Sequence, residues 1–309
     1  MLPLIVVAGP TGSGKSALAL RLAEEFSGEV VNCDSLQLYR GFNVATTKLA
    51  ESDRRGIPHH MIDVIAADQV YSAGDYLRDA RAAIAAISAR GNLPVVAGGT
   101  GFYLRALWHG LPALPPRDEA LRKKLAAREQ ARPGALHRLL SRLDPQAARR
   151  IHPRDTQKLV RALEIRLLTR HPAPPSEFAQ PLAGYRALRI GLDPDRAELY
   201  KILDARTREM FRSGLIEEVR NLLAAGASGA EKPFESLGYK QALKFLRGAM
   251  TLEEAILSTQ IETRQYAKRQ WTWFRRDPSI VWLRGFGGDR AVIERAIDLV
   301  RSFLGTAPV

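Results

Sequence analysis

The sequence predicts an α/β fold, a parallel sheet flanked by helices with a small all-helical insertion, and three observations carry this. Short β-branched runs alternate with longer amphipathic stretches, the pattern of strand–helix–strand units. The first such run feeds straight into a glycine-rich turn, "LIVVAGPTGSGKS". Two proline-rich stretches, 111–118 and 171–185, bracket a segment of different composition. Proline lacks an amide donor and disfavours helix in the residue before it, so both stretches read as connectors.

The elements follow in order. "LIVVAG" is a buried strand, and "GKSALALRLAEEF" is a helix with Leu18, Leu22 and Phe26 on one face. A second strand lies in "GEVVNCD" (28–34). "SAGD" (72–75) has the S-x-x-D capping pattern and starts a helix running to about Arg90. "NLPVVAGGTG" (92–101) holds the next strand, "ALRIGLD" (187–193) another, and "SIVWLRG" (279–285) a weaker one. Between the prolines, "EALRKKLAAREQ" and "TQKLVRALEIRLLTR" read as helices. The expected organisation is an α/β core in two parts, 1–112 and 184–309, around a basic helical insertion at 113–183.

Composition narrows the function. With 46% hydrophobic residues the chain can build a packed core. Leu4–Ala8, the longest apolar run near the N-terminus, is too short to span a bilayer and lacks a basic n-region, so a cytoplasmic protein with no membrane association is expected. The single cysteine, Cys33, excludes an intramolecular disulfide and any cysteine framework for zinc or an iron–sulfur cluster. His59 and His60 have no further ligand cluster nearby and read as structural. The net charge of +13 is unevenly placed: Arg117–His171 holds 15 lysines and arginines against 6 acids. An excess of this size over a whole segment favours a polyanionic partner, because each cation that neutralises a phosphate releases a counterion.

Residues 9–16, "GPTGSGKS", fit G-x-x-x-x-G-K-[ST] between a strand and a helix. Such a loop turns its amides around an anion at a helix N-terminus, Lys15 adds a point charge, and Ser16 offers a hydroxyl to Mg²⁺. The core is therefore expected to be P-loop NTPase-like. Hydrolysis of a nucleotide also needs a strand ending in a carboxylate, yet "LPVVAGG" ends in glycines. The carboxylate is instead Asp34, closing the strand expected beside the loop, where it either faces the ligand crevice or caps the next helix.

"GPTGSGKS" together with "DSLQLYRG" (34–41), "PHHMIDV" (58–64), "YSAGDYLRDA" (71–80), "GGTGFYLRAL" (98–107), "HPRDTQKLVRALE" (152–164), "ESLGYKQ" (235–241) and "TRQYAKRQWTWFR" (263–275) resembles the tRNA dimethylallyltransferases, in order and over nearly the whole chain. That resemblance implies alkylation of N6 of the adenosine at tRNA position 37 by dimethylallyl diphosphate, with Mg²⁺ as cofactor and the tRNA anticodon arm as partner, by a monomer. Gly9, Pro10, Thr11, Gly12, Ser13, Gly14, Lys15 and Ser16 would then hold a diphosphate, Ser16 holding the metal in part.

By the same resemblance Asp34 is the general base, Arg206 lies near the diphosphate, and Thr100 lines the reaction channel and touches the target nucleotide. Asp34, Ser35, Leu36 and Gln37 match contacts to the flipped base region. Arg122 and the run Gln157, Lys158, Leu159, Val160 and Arg161 match anticodon-loop contacts. Lys158 stands where the family more often has arginine, which keeps phosphate attraction but weakens bidentate recognition. Arg264, Lys268 and Arg275, along one face of a C-terminal helix, are assigned to the tRNA backbone, with Trp271 and Trp273 in the core. Three rivals share parts of this pattern: a small-molecule kinase binding ATP, an isopentenyltransferase acting on free adenine nucleotides, and a non-catalytic RNA-binding protein. A kinase lid is often arginine-rich, so basicity alone does not exclude the first, against which the helical insertion stands together with "DSLQLYR" and "GGTGFYLRAL"; the second would not need the insertion, and Lys15, Ser16 and Asp34 together argue against the third.

Overall fold

A computed structural model describes residues 1–172 and 180–305. The chain divides into two compact units, residues 1–108 with 182–309, and residues 109–181. Part of the second proline-rich stretch, residues 173–179, lies outside the described residues.

Unit 1 begins with β1 (Leu2–Ala8), α1 (Lys15–Glu25), β2 (Gly28–Asn32), β3 (His59–His60), α2 (Ala73–Ala89), β4 (Leu93–Ala97) and α3 (Gly101–His109). The chain passes through α4 (Glu119–Ala131), α5 (Ala135–Leu143), α6 (Pro145–Arg150) and α7 (Thr156–Thr169) of unit 2. It returns as β5 (Tyr185–Asp193), α8 (Arg196–Arg212), α9 (Leu215–Ala224), α10 (Tyr239–Leu246), α11 (Leu252–Phe274), β6 (Ile280–Arg284) and α12 (Arg290–Gly305).

The strands form one sheet in the order β3-β2-β4-β1-β5-β6, and every pairing is parallel. β1 is aliphatic throughout because both of its faces are covered. Alternate side chains serve opposite layers: Leu4 and Val6 join the cluster with Tyr76, Ile84 and Tyr239, whereas Ile5 and Val7 join Leu18, Leu22 and Val300. The capping pattern at Ser72 is realised in full. The Asp75 amide donates to the Ser72 hydroxyl at 3.2 Å, and the Ser72 amide donates to the Asp75 carboxylate at 3.0 Å.

Two details differ from expectation. β2 does not lie beside β1, because β4 runs between them, so the strand before Asp34 is one removed from the phosphate loop. The wholly apolar "LPVVA" of β4, buried at every position, takes the more central place. β3 is an addition that the sequence pattern does not predict. It is two residues long, and His60 Nε2 meets Glu29 Oε2 at 2.6 Å, which puts the histidine pair to structural use.

Unit 2 packs its helices around Leu136, Leu140, Leu159 and Leu163, all fully buried. Its acids are largely consumed in building it. Asp118, Asp144 and Asp155 accept the N-cap bonds of α4, α6 and α7, and Glu129 accepts from the Gly134 and Leu136 amides. Glu164, fully buried, accepts from Arg122, Arg161 and the Asp118 amide. Twelve of the fifteen lysines and arginines are left exposed.

Candidate active site

The site lies at the carboxyl edge of the sheet in unit 1, where ligands bind in open parallel sheets. β1 delivers the loop Gly9–Gly14, and α1 starts at Lys15 behind a left-handed Gly14. The amides of that first turn have no intrahelical acceptor and point out of the helix. Lys15 folds back so that its ammonium donates to the Pro10 carbonyl at 2.7 Å. Burial lowers its pKa to about 8, with Asp34 opposing that shift and Arg206 adding to it, so lysine, carboxylate and arginine share one electrostatic environment.

Asp34 follows β2 and is partly exposed. Its Oδ1 accepts from the Leu36 amide at 2.9 Å, and among the described residues Oδ2 has no hydrogen bond. No helix follows directly for Asp34 to cap, and it shapes a turn instead: one oxygen fixes the chain, the other remains available. The glycines after β4 allow "GGTG" to come close. A Cβ at Gly98 would stand 2.0 Å from the Cys33 carbonyl oxygen, and this contact lets the Thr100 amide donate to that same oxygen at 3.1 Å. The Thr100 hydroxyl in turn accepts from the Ser35 amide at 3.0 Å. Cys33 itself is buried with its thiol pushed up to about 12 by burial, which makes it inert.

Arg206 enters from α8 and donates to the Thr11 hydroxyl at 3.1 Å. Burial lowers its pKa and Asp34 opposes that shift. Arg206 also lines a pocket of about 350 Å³ with Val44, Thr47, Lys48, Glu209 and Met210.

Sequence reasoning misses one residue. Gln270 of α11 accepts the Thr11 amide at 2.7 Å and donates to the Gly99 carbonyl at 2.8 Å, tying the phosphate loop to the "GGTG" turn. No local signal marks it, since its partners lie 259 and 171 residues away. It also corrects the expected cradle: the Thr11 amide is turned to Gln270 and the Ser13 amide to the Pro10 carbonyl at 3.3 Å, which leaves the amides of Gly12 and of Gly14 onward for an anion. Tyr266, one turn earlier on α11, has its phenol pKa raised by burial and by Asp34, which places it at the site as well.

Other predicted positions are placed differently. Leu159 and Val160 bury their side chains in the core of unit 2, because α7 turns that face inward, and their side chains are not available to RNA. Arg122 makes two bonds to Glu164, at 2.9 and 2.8 Å, and Arg161 bonds Glu164 at 2.7 Å and the Pro115 carbonyl at 3.1 Å. Gln157 and Lys158 are exposed. In unit 1, Arg264 pairs with Asp204 at 2.6 Å and Arg275 with Asp193 at 2.9 Å, while Lys268 is exposed. Trp271 is buried and Trp273 half-buried, as their core assignment requires.

For a divalent cation the donor set is decisive. The described residues hold no cluster of three or more His, Cys, Asp or Glu able to bind a metal. A hard cation that keeps water and takes its other oxygens from a diphosphate needs little more from the protein than a hydroxyl such as that of Ser16, and Mg²⁺ has this habit. No helix among the described residues is long and apolar enough to cross a membrane.

Fold and site together define an enzyme of the phosphate-loop α/β class, one whose loop faces a carboxylate and a half-buried arginine and lacks the strand-end acid of a hydrolase. The chain belongs to the IPP transferase family, whose sequence profile matches residues 37–277. It is 57% identical over 308 residues to a tRNA dimethylallyltransferase of Solibacter usitatus, covering 98% of this chain and all of that one. A crystal structure of a tRNA isopentenylpyrophosphate transferase from Bacillus halodurans superposes with a TM-score of 0.72 at 35% identity, covering 99% and 96% of the two chains. A eukaryotic dimethylallyltransferase acting on tRNA gives a TM-score of 0.80 at 26% identity over all of this chain and 81% of the other.

Proposed function

We propose that this protein transfers the dimethylallyl group from dimethylallyl diphosphate to N6 of the adenosine at position 37 in the tRNA anticodon arm. The observation that carries this reading is the triad Asp34, Lys15 and Arg206 around one amide-lined loop. Adenine's exocyclic amine is a weak nucleophile because its lone pair is delocalised into the ring. It attacks only as the allylic C1–O bond opens and its proton is removed. The new N6–C1 bond forms, the C1–O pair leaves with the diphosphate, and the N6 proton passes to Asp34 Oδ2. Charge growing on the leaving diphosphate meets the amides of Gly12 and of Gly14 onward, Lys15 and Arg206, all held in place before the reaction begins. Mg²⁺, held in part by the Ser16 hydroxyl, would neutralise further diphosphate charge. Thr100 and Ser35, bonded to each other, hold the Asp34 turn against the "GGTG" loop.

The acceptor base is stacked in its RNA and must be extruded, at a cost of a few kcal/mol. The exposed cations of unit 2, with Gln157 and Lys158 among its exposed polar side chains, provide a phosphate grip that offsets this. A mononucleotide acceptor would need no such surface.

The test is to incubate the protein and Mg²⁺ with unmodified tRNA and radiolabelled dimethylallyl diphosphate, with AMP as competing acceptor. Label on the anticodon-adjacent adenosine is the expected result. Label on AMP would move the reading to a free-nucleotide enzyme, and ATP turnover without transfer would return the loop to a kinase.

A further inference from the structure

The loop between β6 and α12, residues 285–289, takes no part in the chemistry above, yet it packs backbone to backbone against the phosphate loop. The Gly287 amide donates to the Ser13 carbonyl at 2.8 Å. A Cβ on Gly287 would lie 2.2 Å from the Gly14 carbonyl oxygen, and one on Gly14 would lie 2.8 Å from the Gly287 nitrogen. Both are under the 3.0 Å that real Cβ atoms respect, so the approach requires glycine on each side. The loop is held rigid from within. The Phe286 amide donates to the Asp289 carboxylate at 2.7 Å, the Asp289 amide donates back to the Phe286 carbonyl at 3.0 Å, and Phe286 packs on the cluster of Leu199, Leu203 and Trp271.

A trans peptide unit points its carbonyl and the following N–H in opposite directions. Pinning the Ser13 carbonyl outward to Gly287 therefore turns the Gly14 N–H the other way, toward the inner side of the loop. We infer that Gly287 is a positioning residue for the diphosphate, aiming the Gly14 amide from outside the loop. This rests on the reading of the loop as a diphosphate cradle.

Steady-state kinetics on purified variants, with calorimetric binding of inorganic diphosphate and Mg²⁺, tests it. Gly287→Ala is expected to raise KM for dimethylallyl diphosphate about tenfold and to weaken diphosphate binding in parallel, leaving KM for tRNA within about twofold. Gly288→Ala, with nothing within 4 Å of its added Cβ, is expected to match the wild type. Gly28→Ala puts a comparable clash, 2.6 Å from the Leu93 carbonyl oxygen, far from the loop, and is expected to lower Tm without touching KM for the donor. Wild-type diphosphate affinity in Gly287→Ala, or the same KM shift in Gly28→Ala, overturns the inference. Should Gly287→Ala not fold, Phe286→Ala loosens the brace without a clash. There a severalfold rise in donor KM is expected, and an unchanged KM counts against the brace. A wild-type protein that binds no diphosphate would instead remove the donor reading itself.

Discussion

Arginine and lysine do opposite jobs in the two units. In unit 1 the cations that matter, Lys15 and Arg206, are partly shielded from water and held, Lys15 by the Pro10 carbonyl and Arg206 by the Thr11 and Thr47 hydroxyls, with Asp34 as their nearby counter-charge. In unit 2 the acids are turned inward as caps and as the partner of Arg122 and Arg161, and twelve cations face solvent. A shielded, pre-aimed cation stabilises charge that develops at one point, and an exposed field of cations attracts a polymer without fixing its register. Net charge describes the second arrangement well and the first hardly at all.

The comparison breaks first at Asp34. Asn in its place keeps an oxygen for the Leu36 amide but cannot take a proton. Asp34→Asn is therefore expected to lower kcat by about 10²–10⁴-fold while tRNA binding, measured by filter retention, stays within about twofold. Equal loss of both would make Asp34 a structural residue of the turn.

Glu164 is the corresponding test in unit 2. Burial by itself would raise its pKa, but bonds from Arg122, Arg161 and the Asp118 amide hold it down to about 2. Its folded pKa lies below the ordinary value of 4.5, so its contribution to stability is fully present above pH 4.5 and is lost as pH falls toward 2. Glu164→Gln leaves two arginines without a counter-charge and is expected to cost about 2–3 kcal/mol, less than a fully buried pair because both arginines reach water. Thermal melts should show that loss near neutral pH and a flatter acid limb between pH 4.5 and 2. A melt unchanged at pH 7 would mean the triad is ornamental to folding.

Lys15 sharpens the contrast through pH. Its folded pKa near 8 lies below the ordinary 10.5, so between those values the unfolded chain binds more protons and this group alone makes stability rise with pH. Diphosphate binding needs the ammonium. KM for the donor is expected to be flat approaching pH 8 from below and to rise about tenfold per pH unit above it. A flat profile to pH 9.5 would show that Lys15 is not the group that holds the anion.

What could be read in advance follows the same divide. The strands of the sheet's centre, the Ser72 capping box, the phosphate loop and Asp34 are local patterns, and spacing alone reaches them. Gln270, Glu164 and Gly287 act on partners that the fold brings in from far along the chain, and one sequence contains no record of that pairing. Leu159 and Val160 show the converse limit. A motif marks a segment, but the helical face decides which of its side chains can reach any partner.

For the exposed field a smaller and graded effect is expected. Replacing Lys123, Lys124, Arg149 and Arg150 by glutamine should weaken tRNA binding about tenfold at low salt and reduce the slope of log Kd against log salt by about 0.7–0.9 for each phosphate no longer neutralised. The kcat at saturating tRNA should hold. An unchanged slope would place the RNA surface elsewhere on the molecule.

The smallest effect belongs inside the phosphate loop itself. The Ser13 hydroxyl is fully buried and, among the described residues, has no hydrogen-bond partner, while the Ser13 carbonyl carries the bond from Gly287. A buried polar group without a partner destabilises the fold, so deleting it is neutral or favourable. Ser13→Ala is expected to shift stability by no more than about 0.5 kcal/mol, in the stabilising direction, with donor KM unchanged. A large rise in donor KM would mean that the hydroxyl turns inward when diphosphate arrives. The loop would then use a side chain where the geometry assigns only backbone, and the distinction between a rigid, pre-aimed site and an adaptable charged surface would have to be redrawn at Ser13.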